Sequence, residues 1–145
     1  MKKVVVILVC MLSLQTIVKA SDDKSIQVNQ LPSTAQDFIK KYFADTKVTY
    51  ATMDNDLISK DYEVTFANGC KVEFNSKGLW SEVECKTNAV PIAIIPAPIH
   101  AYVKKMHADT KLSKIDRDPR GYEVTLSNKM ELQFDKAGSF VGYDD

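Results

Sequence analysis

The chain has 145 residues, 45% of them apolar and 26% charged, with 19 basic residues balanced by 19 acidic ones. No basic stripe of the kind a nucleic-acid-binding surface needs is present. The length suits one domain with a modest core, or two small halves sharing one.

Residues 1–20 read as an export leader. Lys2 and Lys3 give a basic start, Val4 to Leu14 an apolar stretch, and Val18-Lys19-Ala20 a small-residue cleavage site. The apolar run is shorter than the roughly 20 residues a spanning helix needs. Cys10 raises the alternative of a lipoprotein. The bulky Val9 before it and the short apolar run ahead of it argue against lipidation. Cleavage near Ala20-Ser21 removes Lys2, Lys3 and Lys19, leaving 16 basic against 19 acidic residues in a periplasmic or secreted chain with no membrane span.

Residues 21–30 are polar and patternless, so a flexible leader is expected. A first α-β4 repeat then spans 31–86. Pro32 suits the first turn of a helix, where a missing N–H costs nothing. Ala35, Phe38, Ile39, Tyr42 and Phe43 recur at spacings of three and four, the stripe of a helix packed by one face. Val48 to Met53 reads as a strand. Asp54-Asn55-Asp56 reads as a solvated turn, since an EF-hand loop would need Gly where Ser59 stands and Glu where Thr65 stands.

Tyr62 to Trp80 alternates as a β-meander. A three-residue loop, Ala67-Asn68-Gly69, with Gly69 in the left-handed conformation, sets Val64 opposite Val72 and Tyr62 opposite Phe74. A four-residue turn from Asn75 to Gly78 then sets Phe74 opposite Leu79. In that register the apolar face holds Tyr62, Val64, Phe66, Cys70, Val72, Phe74, Leu79 and Val83. The other face holds Glu63, Thr65, Lys71, Glu73, Trp80, Glu82 and Glu84.

Residues 87–94 form an apolar connector, too apolar to be a free linker, so the halves are expected to pack together. A second α-β4 repeat, 95–145, opens at Pro96. Ile99, Tyr102, Val103 and Met106 form its helix stripe. Tyr122 to Phe140 repeats the first meander sixty residues on, with Phe140 in the place of Trp80. Lys129 stands where the first copy has Gly69, and Asn128 is expected to carry part of the burden of that turn. The expected fold class is α+β: a tandem repeat of one helix plus a four-stranded antiparallel meander. The two copies form an extended sheet of up to eight strands, with both helices on one face. The twist of such a sheet would make its free face concave.

Candidate chemistry is sparse. Cys70 and Cys85 fall on one face of neighbouring strands, so a disulfide and two buried free thiols are both open readings. His100 and His107 lie two turns apart on the second helix, about 10 Å along its axis, too far to share one zinc. No metal, no cofactor and no catalytic constellation is expected, although paired-acid catalysis is a third-ranked reading. The free sheet face is the better candidate. Trp80 and Phe140 would lie on it as aromatic anchors among Glu63, Lys71, Glu73, Glu123 and Glu131.

Tyr-Glu-Val-Thr, a turn, an alternating strand, Phe-Asn/Asp-x-x-Gly and an aromatic, behind a Pro-started helix, occur twice between Leu31 and Tyr143. This pattern resembles the PepSY-like, β-lactamase-inhibitor-protein-like domains of exported Bacteroidetes-type proteins. The resemblance implies a non-enzymatic envelope protein that binds another envelope or secreted protein, a hydrolase or peptidase among the candidates, through the free face. The alternative is a small-ligand or envelope-sensing module with a pocket near Val90 to Ile95. The resemblance is one of fold, which by itself does not license inhibition, and neither partner nor oligomeric state follows from it.

Overall fold

The structure is a computed structural model that describes residues 23–55 and 60–144. The leader expected at 1–20, Cys10 and Asp56 lie outside the described residues, while Asp54 and Asn55, expected in a turn with Asp56, pair as strand residues with Asp61 and Lys60. Among the described residues, nine strands form one antiparallel sheet in strictly sequential order. β1 (Asp23–Ile26) leads through a short 3-10 turn to α1 (Ser33–Tyr42). β2 (Val48–Asn55), β3 (Lys60–Phe66), β4 (Cys70–Phe74) and β5 (Trp80–Cys85) follow. A second 3-10 turn then leads to α2 (Ala97–Met106), β6 (Leu112–Asp118), β7 (Gly121–Leu126), β8 (Glu131–Asp135) and β9 (Phe140–Asp144).

One face of the sheet makes the core. Val64, Val72, Val83, Ile115, Val124 and Leu132 stand opposite one another from strand to strand, and all six are fully buried. Each such aliphatic side chain contributes about 1.5–3 kcal/mol by leaving water. Ala35 and Ile39 of α1 and Ile99 and Val103 of α2 close the same cluster. Edge-on ring contacts, Phe38 on Phe74 and Tyr102 on Phe134, place both helices on this face. The connector residues Val90, Ile94 and Ile95 are buried in that cluster too.

Two further expectations need correcting. Residues 23–26, expected within a flexible leader, form β1 and pair with β2. Their polarity hid them because an edge strand needs only ladder hydrogen bonds and one apolar contact, here Ile26. In the turn of the second meander, Lys129 itself adopts the left-handed conformation, with φ of 77°, and Asn128 shares the burden, its side chain accepting the Met130 N–H.

The other correction moves functional candidates. The hairpin after β4 closes through Asn75 and Leu79, whose N–H and C=O meet at 2.9 Å, so Phe74 opposes Trp80 rather than Leu79. The Asn75 side chain accepts the N–H groups of Lys77 and Leu79 and fixes this longer loop. A slip of one residue turns a strand's side chains to the other face. A bulge after Trp80 absorbs the slip, so that Val83 still faces the core. Leu79 is therefore exposed, and Trp80 turns to the helix side. The second hairpin does the same through Asp135, and Phe140 opposes Phe134.

Candidate functional site

Trp80 and Phe140 are not on the uncovered face. Trp80 lies under the Arg117 guanidinium, 4.0 Å from ring centre to Cζ, and its carbonyl accepts the Arg117 Nε–H at 2.7 Å. Phe140 stacks on Tyr102 of α2 at 4.5 Å. Both are core margins.

The uncovered face is built from the residues that alternate with the core. Glu63, Glu73, Glu82, Asp116 and Glu123 stand opposite one another on β3, β4, β5, β6 and β7, an unbroken row of five carboxylates. The neighbouring row runs Lys71, Glu84, Lys114, Thr125, Glu131 and Asp144. Like charges directly opposite on a sheet are destabilising, so the row carries an electrostatic cost. Only two lysines stand among these acids. Lys71 reaches Glu63 at 3.7 Å and Glu84 at 3.8 Å, and Lys114 reaches Asp116 at 3.7 Å.

The crowding shows in the proton affinities. Burial first, then the charges of Glu82 and Glu63, push the Glu73 carboxyl up to about 6. Burial, a hydrogen bond to Glu82 and the Glu82 charge push Asp116 up to about 7. Glu82 thus sits between two carboxyls that hold their protons unusually long. Burial works against the Lys71 charge, but Glu63, Glu82, Glu84 and Glu73 outweigh it and raise its pKa. At the far end, ligand oxygens of Glu123, Glu131 and Asp144 all lie within 4.8 Å of one another. Burial and a hydrogen bond to Asp144 raise the Glu123 pKa as well.

A cleft of about 510 Å³ runs along this row, lined by Glu73, Glu82, Asp116 and Glu123 and rimmed by Arg117 and Arg120. A smaller hollow of about 340 Å³ lies beside the connector at Ala89 and Pro91. Cys70 and Cys85 stand directly opposite, Cα atoms 4.0 Å apart, and are joined by a disulfide inside the core. His107 Nε2 meets the Tyr143 hydroxyl at 3.3 Å at the margin of the sheet, away from the acid row.

The structure therefore gathers Glu63, Lys71, Glu73, Glu123 and Glu131 on one face, separates Trp80 and Phe140 from them, and adds Glu82, Glu84, Asp116, Lys114 and Asp144. Alternation along β5 already set Glu82 and Glu84 on this face. Asp116 completes the row only through the β5–β6 pairing, which no local pattern announces.

A family model for PepSY-like, beta-lactamase-inhibitor-like proteins matches residues 60–142, more than half of the chain. The chain belongs to the PepSY-like family. The PepSY-like match begins in β3 and ends in β9, and so takes in the whole row of five acids.

Among solved structures, a "putative calcium-regulated periplasmic protein" from Bacteroides thetaiotaomicron is 52% identical, with a TM-score of 0.82. The match covers 86% of this chain and 98% of that one. A "putative periplasmic protein" from Bacteroides vulgatus is 51% identical, with a TM-score of 0.81, over 87% of this chain and 99% of that one. A second from the same species is 42% identical, with a TM-score of 0.80, over 85% and 99%. None of the curated proteins matches this chain. Among the described residues, no helix is long and apolar enough to cross a membrane.

Proposed function

We propose that this chain is an exported, non-enzymatic binding module that takes a basic partner protein on the uncovered sheet face. The observation that carries this reading is the row of five cross-strand carboxylates, kept together at a cost to stability. Such a surface gains its compensation when positive charge docks on it, and complementary charge sets partner choice and encounter rate. Export rests on the leader pattern at residues 1–20, with cleavage near Ala20-Ser21, and on relatives described as periplasmic. The family's name extends the reading to inhibition, should the partner be a hydrolase or peptidase.

The test is capture of envelope proteins by the immobilised mature chain. A basic protein should be retained at low salt and released as salt rises. It should be lost with Glu73→Gln, Glu82→Gln and Asp116→Asn combined, and kept with Trp80→Ala. Retention that ignores both salt and the triple substitution refutes the reading.

A second reading, the small-ligand and envelope-sensing one, is favoured by the Glu123–Glu131–Asp144 group and by the calcium named for the relative from B. thetaiotaomicron. Three converging carboxylate oxygens are the ligand type calcium takes. Under it, calcium raises the melting temperature of this chain, magnesium does so less, and Glu131→Gln abolishes the rise.

A further inference from the structure

The central apolar row of the sheet is fully buried from Val64 to Leu132 and frays only at its two ends, Ile26 on β1 and Tyr143 on β9. Those ends correspond to one another through the β5–β6 joint in the middle. β5 follows β4 through a loop fixed by Asn75 and a bulge that sets Trp80 opposite Phe74. β9 follows β8 through a loop fixed by Asp135 and a bulge that sets Phe140 opposite Phe134. The far side of β5 holds β6, whereas among the described residues no strand pairs with the far side of β9. Val83 on β5 is fully buried, while Tyr143 at the same place on β9 is 51% exposed and Val141 is 63% exposed.

The opposite margin supplies the complement. β1, a 3-10 turn, a proline, α1 and β2 succeed one another as β5, a 3-10 turn, a proline, α2 and β6 do. Leu31 N–H donates to Val28 O just before Pro32, and Ile95 N–H donates to Ile92 O just before Pro96, both at 3.0 Å. Ile26 opposes Ala51 as Val83 opposes Ile115. β1 therefore occupies, against β2, the place that β5 occupies against β6. It does so weakly, with four residues of which Ile26 alone is half-buried.

We propose that β9 is a docking edge for a second copy of this chain, whose β2 pairs there after releasing its own β1. The assembly that results is head-to-tail, with unlike faces meeting, and so can add further copies. Strand addition to an open edge supplies the main-chain hydrogen bonds, and β1 is the guard that limits it. Carrying the β5–β6 register across sets the second copy's Ala51 opposite Tyr143, its Thr52 opposite Gly142 and its Tyr50 opposite Asp144. The sizes fit. A small Ala51 leaves room for the Tyr143 ring, and a Cβ built at Gly142 meets nothing within 4 Å.

The test uses the mature chain, residues 21–145, with Ile26→Asp to loosen β1. Sedimentation velocity at micromolar concentration should show dimers and larger species in place of monomer, and adding Tyr143→Lys should restore the monomer. Independently, copies carrying Thr52→Cys mixed with copies carrying Gly142→Cys should cross-link to each other in preference to themselves. Glu63→Cys in place of Thr52→Cys should not cross-link. A folded Ile26→Asp chain that stays monomeric overturns the proposal, as does association that survives Tyr143→Lys. Should Ile26→Asp fail to fold, the cysteine mixture decides alone, and absence of the mixed cross-link overturns the proposal.

Discussion

Replacing Asp116 by Asn should make the protein more stable at pH 8 and gain less than half as much at pH 5, where the unfolded side chain is already ionised. Asp116 holds its proton in the folded state up to about 7, against 3.8 for the free side chain. Between those values the folded state binds more protons than the unfolded one, so stability falls as pH rises through that window. Three pH units at about 1.4 kcal/mol each set an upper bound near 4 kcal/mol. The Asp116 side chain retains 31% of its accessibility, so solvent screening reduces this. A change of about 1–2 kcal/mol remains, equivalent to roughly 4–8 °C in melting temperature for a domain of this size. Asn keeps the shape and removes the charge, so Asp116→Asn should gain about that amount at pH 8. Urea denaturation at pH 5 and pH 8, with a chelator present to exclude divalent cations, measures both chains. Wild-type stability that is flat across the window, with Asp116→Asn no more stable at pH 8, refutes the reasoning.

Other outcomes follow from the same geometry. Trp80→Ala should cost about 2–4 kcal/mol, because it removes core packing together with the Arg117 cation–π contact, and a melt of the variant checks it. Reducing the Cys70–Cys85 disulfide releases a loop whose ends are 15 residues apart, and should cost about 3 kcal/mol in urea unfolding with and without reductant. Gly121→Ala should destabilise by more than 2 kcal/mol in a thermal melt. Its φ of 150° disfavours a side chain, and a Cβ there would strike the Phe134 carbonyl. Lys71→Met removes the cation that Glu63 and Glu84 face. It should destabilise at pH 7 and less at pH 4, where the carboxylates gain protons, as paired denaturation curves would show.

Much of the fold was legible because it is written in local periodicity. The helix stripes Ala35-Phe38-Ile39 and Ile99-Tyr102-Val103 repeat at the helical period. The alternating runs from Tyr62 and Tyr122 repeat at two, and those periods alone assign faces to most of the core residues. The register of β3 with β4 also followed from local chemistry, since a Gly at 69 can take the left-handed conformation that closes a three-residue loop.

The hairpin after β4 was not legible, because its outcome depends on where the Asn75 side chain places its two hydrogen bonds. One residue more in that loop reverses Trp80 and Leu79, and the bulge that restores Val83 leaves no mark in the hydrophobic pattern. For the same reason Trp80 and Phe140 were misplaced as surface anchors, whereas Glu63, Lys71, Glu73, Glu123 and Glu131 were placed on the right face. β1 escaped notice since a polar edge strand needs backbone partners more than an apolar pattern. Within the regular runs of β3, β4, β7 and β8 the sequence by itself determined which side chains face the core and which face water, because that follows from each strand's own alternation. The residues at the two bulged hairpins did not follow it. Only the tertiary structure decided that five carboxylates line up across β3 to β7, because such a row exists through the register of strands distant in sequence. The raised proton affinities of Glu73 and Asp116 belong to that row and to no single strand in it.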